Sequence, residues 1–176
     1  FENTNIYRID LSKYNFGKLR NMNHMFQGCR YLYELTLPLG TPELRNLSCA
    51  FRGCESLNNL DFSKIDTSLV QDMSYMFNGC SSLNYLDLLK FKTSNVEDMF
   101  SMFSGCLELA ELKIDFDTSK VTDMYGIFQD CNMLTSLNVK NFDTSHVVDM
   151  NSMFKNCYAL KSLDLSNFDT SLVTDM

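Results

Sequence analysis

The sequence predicts an α/β solenoid of about six coils, with a parallel sheet on one face and short helices on the other. Three observations carry that prediction. Cys29, Cys54, Cys80, Cys106, Cys131 and Cys157 recur at intervals of 25 or 26 residues. Phe26, Phe51, Phe77, Phe103, Phe128 and Phe154 each stand three positions earlier, and leucines follow from Leu32 and Leu35 to Leu160 and Leu163. Within each unit the apolar period then switches from that of a helix to that of a strand. Self-similarity at a fixed period of this length marks a stacked array, in which no unit buries its apolar face alone.

Each unit opens on a Thr-Ser or Thr-Pro pair: Thr41-Pro42, Thr67-Ser68, Thr93-Ser94, Thr118-Ser119 and Thr144-Ser145. Proline is tolerated at the first helical position, which favours the threonine column as N-cap. The alternative makes Ser the cap, with Glu97 or Gln71 closing a capping box. The helix follows, its inner face given by Val70, Met73, Met76, Phe77 and Cys80 and repeated at Val96–Cys106 and Val147–Cys157. Asp72, Asp98, Asp123, Asp149 and Asp175 fall early in it, where carboxylates complement the positive end of the dipole; repeated calcium ligation is the alternative. Asp66, Asp117, Asp143 and Asp169 read as turn formers. After the cysteine, alternation predicts strands at 35–37, 60–62, 86–88, 112–114, 137–139 and 163–165.

Composition narrows the function. The 22 acidic against 15 basic side chains give a net charge of −7, which argues against a nucleic-acid partner. No apolar run approaches the roughly 18 residues that cross a bilayer, so no membrane insertion is expected. The ladder cysteines all point one way into the stack, unlike convergent zinc ligands, and are expected to be buried free thiols. Cys49 lies outside the series, in a column with Tyr75, Ser101, Gly126 and Ser152. It is expected to be exposed, with a local disulfide to Cys54 as the alternative. His24 and His146 are about five units apart, and the hydroxyl residues belong to repeated turns without a paired base. No cofactor or metal is implied, and the chain reads as non-enzymatic. It stops within a seventh unit, which suggests one solenoid domain cut from a longer chain.

Residues 142–176 read FDTSHVVDMNSMFKNCYALKSLDLSNFDTSLVTDM. This resembles the BspA-like leucine-rich repeats, with their F-D-T-S-x-V-T-D-M-S-x-M-F-x-x-C-x-x-L-x-x-L-D-L pattern, and the likeness extends over essentially the whole chain. It departs at Leu39-Gly40-Thr41-Pro42, at Lys92 and at a missing residue between Ile114 and Phe116. The resemblance implies a leucine-rich-repeat solenoid in a cell-surface, secreted or lipoprotein-type molecule that binds a host or matrix protein. A rigid spacer stalk is the alternative, and an ice or glycan surface built on the Thr-Ser ladder is a third. The strand face offers Glu34, Thr36, Ser136, Asn138, Ser162 and Asp164, and above all Asn59, Asp61, Tyr85, Asp87, Glu111 and Lys113, as candidate binding residues. Tyr85 is the expected anchor, because tyrosine is enriched in binding hot spots.

Overall fold

Phe26, Phe51, Phe77, Phe103, Phe128 and Phe154 stack ring upon ring, with successive centroids 5.5–5.8 Å apart and planes within 11°. This ladder is the axis of a solenoid seen in a computed structural model that describes residues 1–176. Phe1 extends the ladder at 5.5 Å, so the first residues form part of a further coil that lacks the cysteine. Thr4 takes the cysteine's place, its Oγ1 lying 3.5 Å from Cys29 Sγ. Around the ladder, the Leu, Met, Val and Cys columns close one continuous core of 45 buried residues.

Four strands form: β1 (Arg8–Asp10), β2 (Glu34–Thr36), β3 (Tyr85–Asp87) and β4 (Glu111–Lys113). They pair in parallel as β1–β2 and β3–β4. Parallel pairing agrees with expectation, but the extent does not. The strands begin one residue earlier than predicted, β1 was not predicted, and no strand forms at 60–62, 137–139 or 163–165. Asn58 and Asn59, Ser136 and Asn138, and Ser162 occupy those coils and fit a pleated surface poorly. The leucines still point inward there, with Leu60 buried.

The predicted helices are absent. Each becomes a ribbon of overlapping turns, as in the coil of Met73–Cys80. Met76, Asn78 and Cys80 donate to the carbonyls of Met73, Tyr75 and Phe77 at 3.0–3.2 Å. The intervening N–H groups of Met73, Tyr75, Phe77 and Gly79 donate instead to Asp98, Phe100, Met102 and Ser104 of the next coil at 2.8–2.9 Å. Tyr75 and Gly79 have φ of 55° and 73°, at the third positions of their turns, as a type II turn requires. A left-handed residue every four positions breaks a right-handed helix. The inward spacing of three and four residues is nevertheless preserved, which is why the sequence reads as helical.

The threonines are therefore not N-caps. Each buried Thr Oγ1 reaches across to the next coil. Thr93 Oγ1 donates to the Asp117 carbonyl at 2.9 Å and accepts from the Asp117 N–H at 2.8 Å. Thr67 with Lys92 and Thr144 with Asp169 repeat the pair. The early aspartates likewise serve turns rather than a helix dipole: Asp72, Asp98, Asp123 and Asp149 accept the N–H two residues on at 2.7–2.9 Å.

All seven cysteines are free, and the six ladder thiols donate to the backbone of the preceding coil, such as Cys54 to Phe26 at 3.1 Å. Cys49, expected to be exposed, is buried, beside the Arg52 side chain that lies over the Tyr75 ring of the next coil.

Candidate binding face

Parallel register places the strand-face residues in rows. Tyr85 lies opposite Glu111, and Asp87 opposite Lys113, while Leu86 and Leu112 between them are buried. The outward residues therefore meet one another. Lys113 Nζ is 3.3 Å from Glu111 Oε1 and 5.3 Å from the centre of the Tyr85 ring, whose hydroxyl donates to Asp87 Oδ2 at 3.4 Å. The Tyr85 hydroxyl and then the Glu111 carboxylate raise the Lys113 pKa and keep the ammonium charged. Four of the six candidate residues thus form one cluster.

Asn59 and Asp61 make no hydrogen bond or ion pair with it. They lie in the coil without a strand, and Asp61 is engaged by the Ser63 N–H at 2.7 Å, a bond that lowers its pKa. Asp61 shares with Asp87 and Lys90 a cleft of about 180 Å³ floored by Phe62 and Phe91. A second cleft, of about 340 Å³, lies on the far side of β4 between Lys113, Leu89, Ser136 and Asn138. These openings are shallow, and they suit side chains of a partner better than an enclosed substrate. No group of three His, Cys, Asp or Glu side chains is placed to hold a metal ion, including along the aspartate column.

A second cluster was not anticipated from the sequence. Arg8 Nε donates to the Tyr33 hydroxyl at 2.6 Å, lies 3.1 Å from Glu34 Oε2, and its guanidinium sits 5.2 Å over the Tyr33 ring. Exposed Tyr7 and Tyr31 pack beside it with centroids 5.8 Å apart. The available signal was compositional: all five arginines and four of the eight tyrosines fall within the first 52 residues.

The crystal structure of the T. pallidum leucine rich repeat protein (TpLRR) is similar to this chain, with a TM-score of 0.55 and 23% identity over 88% of this chain and 72% of that one. The likeness shows the leucine-rich-repeat fold. No curated protein matches. No helix is long and apolar enough to cross a membrane. The profile of a family described as "Mycoplasma protein of unknown function, DUF285" matches residues 1–39, 38–132 and 108–176. Those overlapping matches run the length of the repeat array, and the chain belongs to the DUF285 family.

Proposed function

We propose that the protein is a non-enzymatic interaction module, BspA-like in kind, held at the cell surface or secreted, whose strand face binds a host or matrix protein. The observation that carries this reading is the Tyr85–Asp87–Glu111–Lys113 cluster. Its ion pair is exposed on both sides and contributes little to folding, so a partner's groups can replace it at little cost. Beneath it the buried columns repeat, whereas the outward residues differ from coil to coil, which is how a repeat scaffold varies its specificity. The test is capture from host or matrix extract, repeated with Tyr85→Ala, Asp87→Ala and Lys113→Ala combined. Capture that the triple variant loses supports the strand face, and capture it retains removes the site from that face.

One observation favours a spacer stalk as second reading: the turn ribbon is bonded from coil to coil along the whole array. Deleting two coils separates the two, since a spacer keeps whatever binding the array has.

A further inference from the structure

On the ribbon flank, away from the strand face, three coils carry aromatic rings where the others carry small residues. Phe100 and Tyr125 occupy a column that holds Ser48, Ser74 and Asn151 elsewhere. Tyr75 occupies the adjoining column of Cys49, Ser101, Gly126 and Ser152. The rings form a half-buried stripe: Tyr75 and Phe100 are 5.1 Å apart at 46°, and Phe100 and Tyr125 are 4.8 Å apart at 12°. The fold does not require them, because serine, asparagine and glycine fill the same positions in neighbouring coils.

Carboxylates are fixed beside these rings. Asp98 accepts the Phe100 N–H and Asp123 the Tyr125 N–H, both at 2.8 Å, and Asp149 continues the row in the next coil. At one end the stripe already holds a cation of its own chain, the Arg52 guanidinium lying 4.9 Å over the Tyr75 ring. At the other end the column shrinks to Asn151, and neither a second ring nor a cation covers the outward side of Tyr125. Residues 56–176 carry 17 acidic side chains against 8 lysines and no arginine, so this end of the molecule offers no guanidinium of its own.

We propose that this flank docks an arginine side chain of a partner protein, its guanidinium laid on the outer face of Tyr125 between Asp123 and Asp149. A planar guanidinium suits the site better than an ammonium, because it stacks on the ring while its edge donates to two carboxylates. The surface is separate from the strand face, and each can fail without the other.

The test uses nona-arginine and nona-lysine peptides as probes, titrated calorimetrically at physiological salt. Tyr125→Ser places in this column the residue that Ser48 and Ser74 already supply, and Tyr125→Leu keeps apolar bulk without a π face. Both are expected to weaken nona-arginine binding about fivefold while changing nona-lysine binding less than twofold. An Asp10→Asn variant removes a strand-face carboxylate outside both proposed sites and is expected to leave nona-arginine binding within twofold. No measurable nona-arginine binding, equal effects on both peptides, or a loss in the strand-face variant matching that of Tyr125→Leu would each overturn the proposal. Retained capture by Tyr125→Leu of a protein that the strand-face triple variant loses would leave the strand-face reading intact.

Discussion

The Cys80 thiol donates to the carbonyl oxygen of Phe51, one coil upstream, at 3.1 Å, and the same oxygen accepts the Cys54 N–H at 3.0 Å. The thiol therefore completes a buried carbonyl that the ribbon's own turn leaves half satisfied, and small size combined with a donor explains why cysteine fills the column.

Burial pushes the Cys80 thiol up to about 12 and raises Cys54, Cys106 and Cys131 as well, so none forms a thiolate near neutrality. A thiol reagent added to native, unreduced protein should label Cys157, the one cysteine only half buried, and no other. Denaturation without reductant should release all seven. Rapid native labelling of Cys80 or Cys106, or disulfides found by mass mapping, would contradict this arrangement.

Thr93→Val keeps the buried shape but leaves the Asp117 N–H and C=O without their partner. It should lower unfolding free energy by about 2 kcal/mol in urea titration, whereas Thr93→Ser should cost less than about 1 kcal/mol. Equal loss in both would assign the column's role to packing of the methyl group.

Asp98 in one column and Asp66, Asp143 and Asp169 in another respond oppositely to pH. Desolvation, and then the neighbouring Asp72 and Asp123, raise the Asp98 pKa. The folded protein thus holds that proton more tightly than the unfolded chain, and stability falls as pH rises through this range. Asp98→Asn keeps the oxygen that accepts the Phe100 N–H, as Asn46 does for Ser48, and should raise Tm slightly at pH 7, the effect being small because the side chain is exposed. The gain should vanish at acid pH, where Asp98 is already neutral. Asp66, Asp143 and Asp169 are lowered by bonds from the serine two residues on, so their contribution is present above the unfolded pKa and lost as pH falls through the folded one. A triple Asn variant of these residues should therefore flatten the acid limb of the pH profile, below the ordinary aspartate value of about 4.

Gly105 has φ of 77°, and an added Cβ would lie 3.4 Å from the Gly79 backbone of the coil before it. Gly105→Ala should cost about 1–2 kcal/mol. Ser101→Gly, relieving a φ of 49° at the position Gly126 holds one coil on, should be neutral or stabilising in the same assay.

The solenoid, its columns and its parallel pairing were legible because identical side chains at a fixed interval have few ways to be buried together. The Tyr85–Lys113 cluster was legible for the same reason, since 26-residue neighbours on a strand face must adjoin. The turn ribbon was not, because apolar spacings of three, three, one and three suit both a helix and overlapping turns. The discriminating residues stood immediately before the cysteines: Gly28, Gly53, Gly79 and Gly105, then Asp130 and Asn156, all of types that tolerate the positive φ they adopt. Thr-Ser pairs resembled caps because a cap and an inter-coil bridge both need a hydroxyl, and spacing within one unit does not say which backbone it meets. The Arg8 cluster escaped because its coil carries Thr4 where the cysteine would have marked the register.

The two walls of the array are unequally tied. On the ribbon wall three or four backbone bonds join each coil from Met22 to Gln129 to its successor, while strand pairing lapses between Thr36 and Tyr85. A bending load therefore meets a continuously bonded spine on one side and a more sparsely bonded wall on the other. Between β2 and β3, flexure falls at the coil of Asn59, with the ribbon as its hinge. The Arg8–Tyr33 and Tyr85–Lys113 clusters sit on opposite sides of that hinge, so bending there changes the angle between them. A partner gripping both clusters would lock that angle, whereas one gripping either alone would leave it free.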